Sequence, residues 1–149
     1  MACPYFMPVE KIENGNWLHP ARLPLGCGWS GQCTAPGHES QVPSRDVLEA
    51  FCNLGYASSC TWAPAQRAWD AVRFAVNAPL GSRGKSVGSS DEAARILRLT
   101  YVCEREHCPV EHGELEFDIA QATWLKRHSD LRIQKMAECF LESYLKKKS

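Results

Sequence analysis

Five cysteines crowd the first 64 residues of this 149-residue chain, and their thiolates are good ligands for soft metals. They occur in the contexts CPYF, LPLGCGWSGQC and FCNLGYASSC, as Cys3, Cys27, Cys33, Cys52 and Cys60. Their spacing matches neither the CxxC pairs of zinc fingers nor the CxxCxxC run of bacterial ferredoxins. Thiols in this number indicate metal binding where disulfides are unfavourable, although free cysteines are also common as small buried hydrophobes.

The start of the chain favours a reducing compartment. MACPYFMPVEKIENG has no basic segment followed by a long apolar one, and no run of 18 apolar residues occurs anywhere. Seventeen basic residues balance seventeen acidic ones, so the overall charge gives no attraction to nucleic acid or to an anionic membrane. We therefore expect a cytoplasmic protein that binds neither nucleic acid nor a membrane.

Three features of the cysteine contexts favour an iron–sulfur cluster over zinc. Cys3 precedes a proline, glycines flank Cys27 and lie near Cys33, and aromatic residues are frequent nearby. A thiolate-bound cluster is anionic and is stabilised by backbone amides, which glycine-containing turns can supply. Aromatic side chains can exclude water from such a centre, although ordinary core packing also explains them. The aromatic candidates are Trp17, Trp29, Tyr56 and Trp62.

The motifs CPYF, LPLG followed by W, G and C, and CNLGYA followed by C resemble those of a group of small, poorly characterised bacterial cysteine-rich proteins. The resemblance covers about the first 65 residues, with weaker echoes in AVRF and HCPVEHGELEFD. It implies iron–sulfur binding by a four-cysteine set that matches Cys3, Cys33, Cys52 and Cys60. Cys27 stands where the pattern has an acidic residue, so we expect it to be the spare thiol.

Four thiolates suit either a 4Fe-4S cluster or a tetrahedral zinc ion, and both leave no open position for a substrate. This closed ligation favours electron transfer or redox sensing with a protein redox partner over catalysis. The alternative is a zinc-stabilised protein–protein interaction module without redox activity. An enzyme that uses an exposed thiol such as Cys27 is a third reading, which would require a lowered thiol pKa.

A second set of potential ligands lies in YVCEREHCPVEH. Two thiols and two imidazoles suit zinc, but Cys103 continues the apolar face of a predicted strand, where buried unligated cysteines are common. The four residues are Cys103, His107, Cys108 and His112. The segment GSRGKS lacks the GxxxxGK[ST] spacing of a phosphate-binding loop, so we interpret it as a surface hairpin.

The elements that must position the first set are mostly loops. Residues 1–64, the cysteine module, contain seven of the nine prolines and six of the ten glycines. We therefore expect ordered loops held by the metal, with one short helix capped by Ser44 and ending at Gly55. Cys52 should lie in its last turn.

Residues 65–149 have a different pattern. Apolar residues alternate with polar ones over 72–76, 97–103 and 115–119, which predicts three antiparallel strands. Residues 130–148 place apolar residues on one helical face and predict a helix that covers the sheet. The sequence thus predicts one α+β domain over 1–149: a cysteine-rich loop module with one short helix, then a three-stranded antiparallel sheet covered by a C-terminal helix.

Overall fold

The cysteine module contains a two-stranded antiparallel sheet where the sequence predicts only loops. The computed structural model describes residues 2–12, 23–54, 57–77 and 95–148. Strand β1 (Phe6–Ile12) pairs with β2 (Gly28–Cys33), and the register shifts between Pro8 and Glu10. Proline is tolerated at such an irregularity because it needs no ladder donor there. Pro8 pairs with Gly31, where any side chain would collide with the Met7 carbonyl.

The short helix predicted after Ser44 is present but changes its winding. Helix α1 (Arg45–Val47) begins after Ser44, whose hydroxyl accepts a hydrogen bond from the Val47 backbone N–H at 3.4 Å. It continues directly as a π-helical turn, Leu48–Cys52, and a 3₁₀ turn follows at Ala57–Ser59. Cys52 is the last residue of the π turn, close to its predicted position, whereas the predicted stop at Gly55 lies outside the described residues.

The second half forms a four-stranded antiparallel sheet, so the predicted count of three strands was too low. Its strands follow chain order: β3 (Ala71–Asn77), β4 (Ile96–Arg105), β5 (Cys108–Asp118) and β6 (Thr123–Lys126). The fourth strand has only four residues, too few to give a clear alternation. The predicted hairpin at GSRGKS lies outside the described residues.

A C-terminal helix, α2 (Leu131–Lys148), packs against both halves of the protein. Ala137 and Leu141 pack with buried residues of β4 and β5. Met136 and Cys139 instead pack with the core of the cysteine module. The helix therefore covers the sheet, as predicted, and also supports the module. Among the described residues, no helix is long and apolar enough to cross a membrane.

The two halves are also joined through backbone hydrogen bonds near the first cysteine. Ala2 forms an antiparallel bridge with Val72 of β3, with N–H to O distances of 2.8 and 2.9 Å in the two directions. The Ala57 N–H donates to the Asp70 carbonyl at 2.7 Å. Cys3 and the 3₁₀ turn before Cys60 are thereby fixed against the start of β3.

Candidate metal centre

Four separate segments bring four cysteines of the module together. We call Cys3, Cys33, Cys52 and Cys60 the thiol quartet. Cys3 precedes β1, Cys33 ends β2, Cys52 ends the π turn and Cys60 follows the 3₁₀ turn. The Cys3 N–H donates to the Cys52 carbonyl at 3.1 Å, and Phe6 pairs with Cys33 across the small sheet. The Cys60 N–H donates to the Ala57 carbonyl at 3.0 Å, at the end of the 3₁₀ turn.

Electrostatic interactions connect every pair in the quartet. A negative charge on Cys33 or Cys60 raises the pKa of Cys3, and a charge on Cys60 raises the pKa of Cys33. Charges on the other three all raise the pKa of Cys52. These are the six pairs that four residues can form, so the four side chains share one region of the molecule. They are the four cysteines that the family resemblance implies as ligands.

Burial makes the thiols of this region difficult to ionise. Desolvation is the main cause that raises the pKa of Cys3, which reaches about 12 from its ordinary value of 9.0. Desolvation likewise raises the pKa of Cys52 strongly and that of Cys33. Cys60 is half-buried, whereas the other three are buried. The arrangement thus opposes free thiolates and would be relieved by a cation that replaces the protons.

Backbone N–H groups approach two of the sulfurs. The N–H groups of Tyr5 and Phe6 oppose the rise in the Cys3 pKa. The Ala35 N–H donates to the Cys33 Sγ at 3.4 Å. These donors lie two or three residues after each cysteine, in turns that begin CPYF and CTAP. The predicted amide donors were those of glycine-containing turns around Cys27 and Cys33, whereas the donors in the structure belong to Tyr5, Phe6 and Ala35.

Cys27 packs on the same apolar cluster as Cys3 and Cys52, but its sulfur contacts the C-terminal helix. Its Sγ is 3.7 Å from the Ser143 Oγ, and its charge acts on Cys139. The Ser143 hydroxyl donates to the Leu25 carbonyl at 3.1 Å. Gly26 must be a glycine here because a Cβ would collide with Ser143 and because its φ is +81°.

Cys27 and three lysines line a shallow cleft of about 290 Å³; the lysines are Lys11, Lys146 and Lys147.

The residues of YVCEREHCPVEH do not come together. Arg105 pairs with Cys108 at the end of the β4–β5 hairpin, and both residues of its two-residue loop, Glu106 and His107, have positive φ. The Cys103 side chain is fully buried beside Val72 and Ile133, whereas Cys108 is exposed. The register of this hairpin shifts between Cys103 and Glu104, and the two thiols end in different surroundings, with Cys103 in the core and Cys108 in solvent.

Two polar residues of the module escaped the sequence prediction. Asn53, directly after Cys52, is 1% exposed and accepts from the Trp29 N–H at 3.1 Å. Its amide donates to the carbonyls of Trp29 and Leu48, both at 3.0 Å. Arg132 of α2 donates to the Thr34 Oγ1 at 3.1 Å and interacts electrostatically with Cys3. Asn53 is adjacent to a cysteine in the sequence, which was the one available signal, whereas nothing in the sequence connects Arg132 to the module.

Two of the four predicted aromatic residues fall within the described part of the chain. Trp29 is buried in the same apolar cluster as Cys3 and Cys52. Trp62, two residues after Cys60, is half-buried and stacks on His38 with ring centroids 4.7 Å apart. Both positions are compatible with excluding water from the quartet. Trp17 and Tyr56 lie outside the described residues.

All eight cysteines are free thiols, so the quartet is not joined by disulfides. Across residues 2–12, 23–54, 57–77 and 95–148, no three Cys, His, Asp or Glu side chains are arranged to hold one metal ion. The quartet thus shares a region without converging on the position of a single ion. Comparisons of the chain with protein-family models, with curated proteins and with solved structures find no match.

Proposed function

We propose that this chain binds a 4Fe-4S cluster through Cys3, Cys33, Cys52 and Cys60 and exchanges electrons with a protein partner or senses redox state. One observation carries the proposal: four separate segments bring these thiols into one region, where the Cys3 N–H donates to the Cys52 carbonyl at 3.1 Å and each thiol interacts electrostatically with the other three. Cys27 lies in the same half of the sequence but contacts α2 instead. When bound, such a cluster accepts or releases one electron.

Burial of the quartet thiols fits ligation, although burial raises the pKa of Cys103 and Cys139 in the same way. A raised thiol pKa means that the folded protein resists thiolate formation when no metal is present. Metal ions supply positive charge that offsets the negative charge of buried thiolates, and each ligating thiol then gives up its proton. Arg132 adds a second positive charge near Cys3 and remains fixed through its ion pair with Asp130 at 2.8 Å.

A zinc ion and a four-iron cluster require different spacings of their four sulfur ligands. A tetrahedral zinc ion with Zn–S bonds of about 2.3 Å requires its sulfurs to lie about 3.8 Å apart, and a four-iron cluster separates its ligands more widely. The choice of a cluster over zinc rests on the proline after Cys3, the glycine-containing turns and the nearby aromatic residues, and metal analysis distinguishes the two.

The amide donors fit an anionic metal–sulfur centre. Thiolates of iron–sulfur proteins accept N–H···S hydrogen bonds, which stabilise the negative charge and adjust the potential. Cys33 accepts one from Ala35, and the Tyr5 and Phe6 amides act on Cys3. Buried thiols that serve only as core residues do not require such donors.

Electron exchange rather than catalysis follows from closed ligation. Four cysteine ligands leave no metal position open to a substrate. Cys60 is the quartet member with the greatest exposure, and the exposed Ser58, Ser59 and Thr61 surround it in the sequence. We therefore place the approach of a redox partner at this side of the quartet.

Anaerobic purification followed by metal and sulfide analysis tests the proposal. We expect a brown protein with charge-transfer absorption at about 400 nm. It should contain about four irons and four sulfides per chain and should be reduced reversibly by one electron. The Cys27→Ser variant should keep all these properties. A colourless wild-type protein with one zinc per chain and no redox response would contradict the proposal and support the interaction module instead.

A further inference from the structure

The Trp29 indole is a buried donor for which the described residues provide no acceptor. Trp29 is 6% exposed, and its Nε1 atom has no hydrogen-bond partner within the part of the chain that the structure describes. A buried donor without a partner costs about 1–3 kcal/mol, and such groups in folded proteins call for an explanation. An indole N–H can only donate, so it requires an acceptor.

Packing and backbone contacts link Trp29 to segments that carry quartet thiols. Trp29 belongs to the same buried cluster as Cys3 and Cys52. Asn53, the residue after Cys52, fixes the Trp29 backbone on both sides, accepting from its N–H at 3.1 Å and donating to its carbonyl at 3.0 Å. The residue that carries the unpartnered donor is therefore attached to the segment that carries a quartet thiol.

Thiolates and inorganic sulfides of a metal–sulfur core are suitable acceptors for this N–H. Protonated thiols are weak acceptors, whereas thiolates and inorganic sulfides carry negative charge and accept N–H groups well. Trp29 also combines this donor with a large apolar surface, so it can contact the core without admitting water.

We propose that the Trp29 indole N–H donates a hydrogen bond to a sulfur of the bound metal–sulfur core and thereby raises its reduction potential. The inference rests on the proposed function and assigns to Trp29 a direct role in setting the potential of the core. The acceptor is a cysteine thiolate or an inorganic sulfide of the core. A donor to sulfur stabilises the more negative, reduced state, so its removal should make the potential more negative.

The first test measures the reduction potential of the loaded protein. In Trp29→Phe, which removes the donor and keeps an aromatic ring, we expect one-electron reduction to become about tenfold less favourable, which is 59 mV. Trp124→Phe is the matched control, because Trp124 packs edge-on against Phe117 in the four-stranded sheet. Its potential should equal that of the wild type.

A second variant separates loss of the donor from loss of packing. Replacement of Trp29 with 3-benzothienylalanine exchanges only the indole N–H for sulfur and keeps the bicyclic shape. It should make the reduction potential more negative by the amount expected for Trp29→Phe. Because its shape matches tryptophan, it provides the test if the phenylalanine variant folds poorly. An unchanged potential in the benzothienyl variant would overturn the inference.

The indole proton itself provides the last readout. With ¹⁵N-labelled tryptophan, the Trp29 indole resonance should exchange with solvent more slowly in the loaded protein than in the metal-free one. Equal exchange in both forms would overturn the inference. If the wild type assembles no metal–sulfur core at all, the proposed function falls together with this inference; if the core assembles and the potential is insensitive to Trp29, only the inference falls.

Discussion

The two groups of cysteines in this protein behave in opposite ways. In the cysteine module, thiols separated by up to 57 positions, from Cys3 to Cys60, interact with one another. In the β4–β5 hairpin, Cys103 and Cys108 are five positions apart, yet one is fully buried and the other exposed. Closeness in the sequence therefore predicts nothing about closeness of thiols here.

The difference follows from the backbone that carries each group. In the hairpin, strand pairing fixes the position of each residue, including the register shift between Cys103 and Glu104. Of the quartet, only Cys33 lies in a paired strand, and the turns that carry the other thiols are held by tertiary hydrogen bonds such as those from Asn53. Turns of this kind can bring thiols from distant parts of the chain into one region.

Removal of one quartet thiol should have the largest effect on metal binding. In Cys52→Ser we expect the iron and sulfide content to fall at least about tenfold, because even residues behind the ligands affect metal affinity by 10- to 100-fold. Metal analysis after anaerobic reconstitution measures this. Cys27→Ser is the matched control and should retain the wild-type content; equal retention in both variants would remove Cys52 from the ligand set.

The pH dependence of stability should distinguish the two groups once metal is bound. In the metal-free protein, burial raises the pKa of Cys3 and of Cys103 to about 12 from 9.0. Folded thiols therefore hold their protons more tightly than unfolded ones, so their stabilisation is complete below about pH 9 and is lost as the pH rises towards 12. The slope should reach about 1.4 kcal/mol per pH unit for each such thiol.

Urea denaturation at pH 8, 9 and 10, with and without the metal core, measures this effect. Metal binding removes the Cys3 proton, so the loaded protein should lose less stability with rising pH and should release protons during loading. The Cys103 contribution should remain in both forms. A metal-free protein whose stability does not change over this range would contradict the account.

A third prediction concerns the polar support of the module. Asn53→Ala removes three buried hydrogen bonds and leaves the Trp29 backbone N–H and carbonyl without these partners, whereas the Leu48 carbonyl keeps its bond from the backbone N–H of residue 53. We expect a loss of about 2–4 kcal/mol in the free energy of unfolding by urea denaturation. Asn77→Ala is the control in the sheet, since that side chain is exposed and donates to the Thr100 hydroxyl. Its effect should stay within about 0.5 kcal/mol; equal losses in both variants would refute the special role of Asn53.

The smallest effects should come from the hairpin cysteines. Cys103→Ala removes a fully buried sulfur beside Val72 and Ile133 and should cost about 1 kcal/mol. Cys108→Ser changes an exposed group and should stay within about 0.5 kcal/mol. Neither variant should alter the iron content. A loss of metal in either one would place this hairpin at the metal centre.

The sequence predicted the regular parts of the fold because their patterns are local. Alternation identified the cores of β3, β4 and β5, and helical spacing identified α2 to within about one residue at its start. Strand β1 was missed because Pro8 lies at its bulge, and β2 because of Gly28 and Gly31. In both strands, residues that usually end regular structure serve a close approach between two backbones.

The thiol quartet was predicted by resemblance rather than by spacing. No local rule selects Cys33 over Cys27, since glycines precede both within a few residues. The separation depends on α2, whose Ser143 lies 116 positions after Cys27 and contacts its sulfur. Such long-range contacts have no local pattern. The same is true of Arg132, which reaches Thr34 across 98 positions.

X-ray absorption at the iron edge of the anaerobically loaded protein tests the central claim most directly, because it reports the atoms around the metal. We expect each iron to be surrounded by sulfur atoms, with other iron atoms at the next distance, as in a multi-iron core held by four thiolates. Isolated ions without iron neighbours, or uptake of zinc alone in a sulfur tetrahedron, would contradict it.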